Sequence, residues 1–359
     1  MPERNRHDER VRMKITAGPY NLIDGKVPER DGEPIAPWSA EAAYQRLQQV
    51  APRIPVAVSP DVVLLPGNSN DAWLMGESVL RVCWRGDRKR FLKEAQVVAS
   101  LPPSIPHARV RAWGSDESFS WILSDAIAGA TLASVWTTTA PAQLRALVLQ
   151  FAQLLRTLHT WSVPRELLPL LDNAQGQASD ALGIVGQVVV PLPIMRTRRL
   201  LSFARSLPFV AESLLDAVEA RLLELTACDR AQGQPYVMLH GDAAPVNVMV
   251  RNGKIAALLD FEWAGRGARD LELVSLLHWI GLQGSDQSAH RLLEWTQEGY
   301  PQLFNGSDID RRLWLYQLAY YLRGLIVWPP DCAEEELDAY HPVRRLRILV
   351  ARPLYHIGR

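Results

Sequence analysis

The stretch His240-Gly241-Asp242-Ala243-Ala244-Pro245-Val246-Asn247-Val248-Met249-Val250-Arg251-Asn252-Gly253-Lys254-Ile255-Ala256-Ala257-Leu258-Leu259-Asp260-Phe261-Glu262 decides how this chain reads. Two apolar runs flank Asn252-Gly253, a strong signal for a β-hairpin closed by a two-residue turn. With that turn, Arg251 pairs with Lys254, Val248 with Ala257 and Asn247 with Leu258. Asp260 then follows Leu258 by two residues and shares the face of Asn247. Diagonal neighbours of this kind lie roughly 7–8 Å apart, a gap one metal ion can bridge. Asn and Asp offer only oxygen, the donor that Mg²⁺ prefers. Asp242 stands upstream, after the apolar run Tyr236-Val237-Met238-Leu239, in a loop held open by Pro245. There its carboxylate can face a substrate hydroxyl. Taken singly, Asp242 and Asn247 read as turn residues and Asp260 as a strand end. Their joint spacing around one hairpin is what points to chemistry.

That pattern, His-x-Asp-x-x-x-x-Asn followed by Asp-Phe-Glu, resembles the catalytic loop and metal-binding motif of the protein-kinase-like fold. It is closest in flavour to the aminoglycoside phosphotransferase and choline kinase group, whose members phosphorylate small molecules. Glu262 departs from protein kinases, which carry Gly there, as it does in the choline kinase branch. The resemblance runs from about residue 58 to the end of the chain. It implies an α+β, bilobal protein-kinase-like fold: a small antiparallel-sheet N-lobe over residues 37–125 and a larger, mainly helical C-lobe over residues 126–359. It also implies that Asp242 orients and deprotonates the acceptor and that Asn247 and Asp260 hold Mg²⁺. ATP, or GTP, is the implied donor. His240 supports the loop and carries no chemistry.

The N-lobe expectations follow the same order. Residues 1–36 are charged and rich in Pro and Gly, and read as an extension. Ser39 caps a helix to Val50; strands follow over Asp61 to Pro66, Ala72 to Met75 and Ser78 to Trp84, then a helix from about Asp87 to Leu101 and strands Arg109 to Trp113 and Ser120 to Ser124. The Ser78–Trp84 strand is apolar on both faces, so Arg81 is buried and needs a partner. On the following helix Phe91, Glu94, Val98 and Leu101 share one stripe, which makes Glu94 a core-facing carboxylate. The kinase resemblance pairs the two: Arg81 stands where protein kinases carry Lys, and Glu94 fixes it against the nucleotide phosphates. The competing reading pairs Arg90 with Glu94 on the helix surface and leaves Arg81 solvated. Gly67, Asn68 and Ser69 lie where the resemblance places the phosphate-covering turn, and on spacing alone they read as an ordinary turn. Ser124 and Ala126 stand at the implied hinge, where backbone groups would hold the base.

Beyond the hinge the chain reads as helical. Pro141 to His159 carries Leu144, Leu147, Phe151, Leu154, Leu155 and Leu158 at helical spacing, and His159 reads as an interior histidine with a hydrogen-bond partner. Residues 161–235 form a long insertion, with a helix from Ala211 to Ala227. Later helices are expected from Asp270, as N-cap, then over Gln287 to Gly299, Asp308 to Val327 and Glu334 to Ala351. A helix resuming at Asp270, and no Ala-Pro-Glu motif, leave no room for a protein kinase's activation segment and favour a small acceptor.

Composition narrows the partners. Lys plus Arg and Asp plus Glu are equal at 39 each, which argues against a nucleic acid or a membrane surface held by bulk charge. Three scattered cysteines, Cys83, Cys228 and Cys332, show no metal spacing and read as reduced thiols; with no apolar leader, the expected compartment is the cytoplasm. The partner is a small-molecule acceptor with a hydroxyl. Its identity stays open. A polycationic aminoglycoside would use acids such as Glu262, Asp270, Glu272, Asp286 and the Glu334–Asp338 run; a choline-like acceptor would use an aromatic cage drawn from Trp263, Trp279, Trp295, Trp314 and Trp328. Ethanolamine, sugars, amino acids and macrolides also remain, as does a nucleotide-binding module that has lost catalysis. The oligomeric state is not readable.

Overall fold

The computed structural model describes residues 39–58, 61–65, 70–83, 89–116, 119–171, 194–207, 209–225, 236–283, 287–305, 308–327, 334–337 and 341–351. The 1–36 extension, Gly67, Asn68, Ser69, Cys228, Asp286, Trp328, Cys332, Asp338 and the centre of the insertion lie outside these residues.

Helix α1 (Ala40–Val50) starts as expected, with the Ser39 hydroxyl accepting the Ala42 N–H at 3.0 Å. Strands β1 (Val63–Leu65), β2 (Asp71–Met75) and β3 (Ser78–Cys83), helix α2 (Lys89–Ser100), and strands β4 (Val110–Ser115) and β5 (Ser120–Asp125) form the N-terminal part. The strands make one antiparallel sheet in the order β1-β2-β3-β5-β4. Both faces are covered, as the two apolar faces of β3 demanded. On one side Ala43, Leu47 and Val50 of α1 pack with Trp73, Leu80, Val82, Trp121 and Leu123. On the other, Phe91 and Ala95 of α2 pack with Cys83 and Ile122. Arg81 sits among these apolar groups, and Glu94 is buried.

A short strand β6 (Ala130–Thr131), a single helical turn α3 (Leu132–Val135) and the long helix α4 (Pro141–Thr160) open the C-terminal part. The insertion supplies α5 (Leu168–Leu171), α6 (Ile194–Ala204) and α7 (Glu212–Leu225). Strand β7 (Val237–Leu239) leads into the catalytic loop, β8 (Val248–Arg251) and β9 (Lys254–Leu258) form the hairpin, and β10 (Gly265–Gly267) returns antiparallel to β7. Helices α8 (Leu273–Leu282), α9 (Arg291–Gly299), α10 (Ile309–Val327) and α11 (Pro342–Ala351) complete it. Leu144, Leu147, Phe151, Leu155 and Leu158 of α4 are all buried in the main core, with Val248 and Leu258 of the hairpin. A second core joins α6, α7, α10 and α11 through Leu200, Leu215, Leu318, Leu322 and Leu346.

Three expectations are corrected. First, the hairpin turn forms as read, with Asn252 and Gly253 at φ 53° and 72° and Arg251 opposite Lys254. The register beyond it shifts, because Val250 faces Ile255 while Met249 faces Ala257, so Ala256 is an extra, bulged residue. Val248 therefore pairs with Leu258 rather than Ala257, and Asn247 accepts the Leu259 N–H at 2.8 Å. Second, Asp270 is not an N-cap. It lies inside a 3₁₀ turn, Arg269–Glu272, that precedes α8, and its carboxylate is held by Arg312 at 2.6 Å. Third, the expected final helix divides into a short 3₁₀ turn, Glu334–Glu336, and α11, which starts at Pro342, where the fixed φ of proline suits a first helical turn.

Gly129 is required where β6 meets the hairpin. Its φ is +141°, and a Cβ there would stand 2.3 Å from the Val250 carbonyl oxygen. Only a residue without a side chain lets the segment after β5 approach β8 this closely.

Candidate active site

The catalytic loop is built around a buried carboxylate. Glu272 accepts the backbone N–H of His240 at 2.7 Å and of Gly241 at 2.8 Å. It also contacts His159 Nε2 at 3.3 Å, while His159 Nδ1 meets the Tyr300 hydroxyl at 3.2 Å. His159 is thus the interior, hydrogen-bonded residue expected of it. Burial alone would raise the Glu272 carboxyl, but the hydrogen bond and charge of His159, His240 and the Gly241 amide leave it below its ordinary value. The His240 ring packs on Phe261 with centroids 4.4 Å apart, and its Nδ1 accepts the Asp242 N–H at 3.3 Å. Burial pushes this imidazole below its ordinary value, against the pull of Glu272.

Asp242 follows on this framework. Asn247 Nδ2 donates to both its backbone oxygen and its Oδ2, each at 2.9 Å. The Asp242 carboxyl is raised to about 7, first by burial and then by the negative Asp260, against the hydrogen bond from Asn247. Because the Asn247 nitrogen is spent on Asp242, its Oδ1 is left as an acceptor. Asp260 closes the set. With Asn247 opposite Leu259, strand alternation no longer brings Asp260 to the face of Asn247. Its direction is set instead by a left-handed backbone, φ 66° and ψ 61°. For a non-glycine residue that conformation costs about 1–3 kcal/mol and is held by its surroundings.

The strand–helix pair forms as expected. Arg81 contacts Glu94 through one terminal nitrogen and Asp260 Oδ1 at 2.5 Å through the other. The Arg81 cation is secured by these acids despite its burial, and Glu94 is pushed up to about 7 by burial, with Arg81 pulling it back. Arg90 does not pair with Glu94. It turns to Glu262, which is fully buried, at 3.3 Å, to Cys83 Sγ at 3.1 Å and onto the Trp263 ring at 4.8 Å. Asn70 Nδ2 donates to the other Glu262 oxygen at 3.0 Å. Glu94, Asp260 and Glu262 bring carboxylate oxygens within 4.8 Å of one another. All three are paired with arginines, Glu94 and Asp260 with Arg81 and Glu262 with Arg90; the Asn247 Oδ1 and the Asp260 carboxylate are oxygen donors of the kind Mg²⁺ takes. Nothing in the sequence spacing announced Asn70, Arg90 or the loop-holding role of Glu272; the one signal was an acid in an otherwise apolar context.

The acids considered for a polycationic acceptor are mostly engaged elsewhere. Glu262 is held by Asn70 and Arg90, Asp270 by Arg312, Glu272 by the catalytic loop and Glu334 by Arg347. Among the described residues the candidate tryptophans are packed apart: Trp279 lies edge-on against Trp136 at 4.9 Å, Trp295 is 6.4 Å from Trp136, Trp314 carries Arg221 on its face, and Trp263 carries Arg90 and Arg323. At the hinge, Ser124 is in β5, opposite Val79, and the Ala126 N–H is donated to the Glu77 carbonyl at 2.8 Å, so that amide is not free for a base.

A strand arginine thus contacts both a helix glutamate and Asp260, near the Asp242–Asn247 loop, on a protein-kinase-like scaffold. The chain belongs to the phosphotransferase enzyme family, which it matches over residues 62–303. Membership in that family makes it a phosphotransferase. Solved structures share the fold. A thermostable aminoglycoside phosphotransferase APH(4)-Ia, in complex with ADP and hygromycin B, superposes with a TM-score of 0.59 at 18% identity, covering 87% of this chain and 98% of that one. The ADP-bound aminoglycoside phosphotransferase APH(2'')-Ib gives 0.56 at 16% identity, covering 88% and 97%. The gentamicin complex of APH(2'')-IIa gives 0.56 at 14%, with the same coverage of 88% and 97%. No curated protein sequence matches the chain. Among the described residues no helix is long and apolar enough to cross a membrane.

Proposed function

We propose that the protein transfers the γ-phosphoryl group of ATP to a hydroxyl of a small molecule in the cytoplasm, with residues 37–125 binding nucleotide and residues 126–359 binding the acceptor. GTP is an alternative donor. Asp242 accepts the hydroxyl proton through the carboxylate oxygen that Asn247 does not hold. The acceptor oxygen attacks the γ-phosphorus, the bond to the β–γ bridging oxygen breaks, and ADP leaves carrying the electron pair. Arg81, braced by Glu94, holds phosphate oxygens. Asn247 Oδ1 and Asp260 would hold Mg²⁺, whose charge would offset that of the phosphates. Positioning and electrostatics supply the rate. The observation that carries the reading is the contact of Arg81 with both Glu94 and Asp260, beside an aspartate whose pKa is tuned to about 7. A carboxyl poised there is ionised enough to accept a proton at neutral pH.

Glu262, Asp270 and Glu272 are engaged internally, so these three acids are not the ones that would hold a polycationic acceptor. The acceptor class stays open between aminoglycosides and metabolites such as choline, ethanolamine, sugars or amino acids. The test is ATP consumption with Mg²⁺ across aminoglycosides, macrolides, choline, ethanolamine, sugars and amino acids, with Asp242→Ala as control. Turnover with one acceptor, lost in the variant, is expected. Full turnover in a folded Asp242→Ala protein would overturn the role of Asp242, and absence of nucleotide binding would overturn the reading as a whole.

A further inference from the structure

Glu262 has no place in the chemistry above, yet it is completely buried and both of its carboxylate oxygens are occupied by residues from the other lobe. A buried carboxylate is costly unless paired and hydrogen-bonded, so its presence two residues after Asp260 calls for a reason. Oε2 takes the amide hydrogen of Asn70, which stands immediately before β2, at 3.0 Å. Oε1 meets Arg90 of α2 at 3.3 Å. Arg90 is itself fixed, against Cys83 Sγ of β3 at 3.1 Å and on the face of Trp263 at 4.8 Å. Arg323 of α10 also lies over the same indole, 5.7 Å from its centre. Between Asp260 and Glu262 lies only Phe261, buried against the His240 ring. The run Asp260-Phe261-Glu262-Trp263 is thus gripped on every residue after the first, by the catalytic loop at Phe261 and by the nucleotide lobe at Glu262 and Trp263.

We propose that Asn70, Arg90 and Glu262 are positioning residues that hold Asp260 in its left-handed conformation and so set the geometry of its metal-binding carboxylate. The inference rests on the phosphotransferase reading of the site. Asp260 is strained, at φ 66°, and its own side chain is tied only to Arg81 among the contacts seen. Relaxing φ would swing Glu262 out of its bonds with Asn70 and Arg90, and the burial of that carboxylate opposes the swing. Since Asn70 and Arg90 belong to the sheet and helix of the nucleotide lobe, the clamp also ties the placement of Asp260 to the seating of that lobe on the catalytic loop. A hydrogen-bonding side chain does here what a glycine at this position cannot.

The test uses the full chain, with Asn70→Ala and Glu262→Gln, and Mn²⁺ as the probe ion. Mn²⁺ affinity is measured by calorimetry in the presence of a saturating non-hydrolysable ATP analogue, nucleotide affinity separately in EDTA, and folding by thermal denaturation. The expected result is a Mn²⁺ affinity lowered five-fold or more in both variants, nucleotide affinity without metal within two-fold of wild type, and a fall in kcat with the acceptor KM unchanged. Mn²⁺ affinity within two-fold of wild type in folded Asn70→Ala would overturn the proposal, even where stability drops, because it would make the cluster packing only. Should Glu262→Gln fail to fold, Asn70→Ala alone decides, since it removes one hydrogen bond and leaves the Arg90–Glu262 contact. A wild-type protein that binds neither nucleotide nor Mn²⁺ would overturn the phosphotransferase reading itself, a result distinct from either outcome in the variants.

Discussion

Replacing Asp242 by Asn should remove activity and stabilise the protein, and the stabilisation should depend on pH. The Asp242 carboxyl is raised from 3.8 to about 7, by burial and by the charge of Asp260. The folded protein therefore holds a proton that the unfolded chain has released, across the window from about pH 4 to about pH 7, and stability is lost as pH rises through it. Three pH units at about 1.4 kcal/mol each set an upper bound of about 4 kcal/mol. Asp242 is only half-buried and opens toward solvent, so screening leaves roughly 2 kcal/mol. An Asn there keeps an oxygen for the Asn247 amide and carries no charge to pay for. Urea denaturation of both proteins at intervals from pH 4 to pH 8 should give stabilities that coincide near pH 4 and diverge by roughly 2 kcal/mol, in favour of the variant, by pH 8. Titrating groups distant from Asp242 are shared and cancel in the difference; Asp260, Glu262 and Glu272, which feel its charge, contribute with the same sign. Parallel curves, with the difference constant to about 0.5 kcal/mol, would refute the claim that the site holds Asp242 against its charge. kcat of the variant should fall by at least about 10²-fold, the usual worth of a positioned base.

Other perturbations have defined outcomes. Arg81→Met strips the partner from Glu94 and Asp260; nucleotide KM should rise about 10-fold, and the loss of stability, up to about 3–5 kcal/mol, should be larger at pH 8 than at pH 6, where Glu94 can take up a proton, as paired denaturation curves would show. Gly129→Ala forces a Cβ to within 2.3 Å of the Val250 carbonyl at a φ of +141°; it should cost at least about 2 kcal/mol of stability in urea titration. Glu272→Gln weakens the acceptor for the His240 and Gly241 amides and for His159; steady-state kinetics should show kcat reduced about 10-fold with KM within two-fold, and denaturation a loss of about 1–3 kcal/mol.

The order of elements was legible because each rests on local signals: short apolar runs at β2, β3 and β5, the helical stripe of α4, and Ser39 and Asn252-Gly253 at their cap and turn. The pairing of Arg81 with Glu94 was legible for another reason. Each sat at a position whose neighbours demanded burial, and a buried charge demands an opposite one nearby. The same logic could not say where Arg90 would go, since a salt bridge to Glu94 one helical turn away looked as good on paper as the Glu262 contact, 172 residues distant, that formed. Asp270 failed in the same way, because an acid before an apolar run reads as a cap until Arg312 of α10 is brought against it.

By itself the sequence determined the Asn252-Gly253 hairpin turn, the pairing of Arg81 with Glu94 and the α+β scaffold that carries them. These follow from spacing along the chain, where distance is set by covalent geometry and strand or helix periodicity. Tertiary structure alone decided the bulge at Ala256, the left-handed Asp260, the grip of Asn70 and Arg90 on Glu262, and the use of Glu272 to hold the catalytic loop rather than a substrate. A buried polar side chain announces that it must be satisfied, but which of many distant groups satisfies it is fixed only when the lobes pack, by which pairing leaves the fewest charges without a partner.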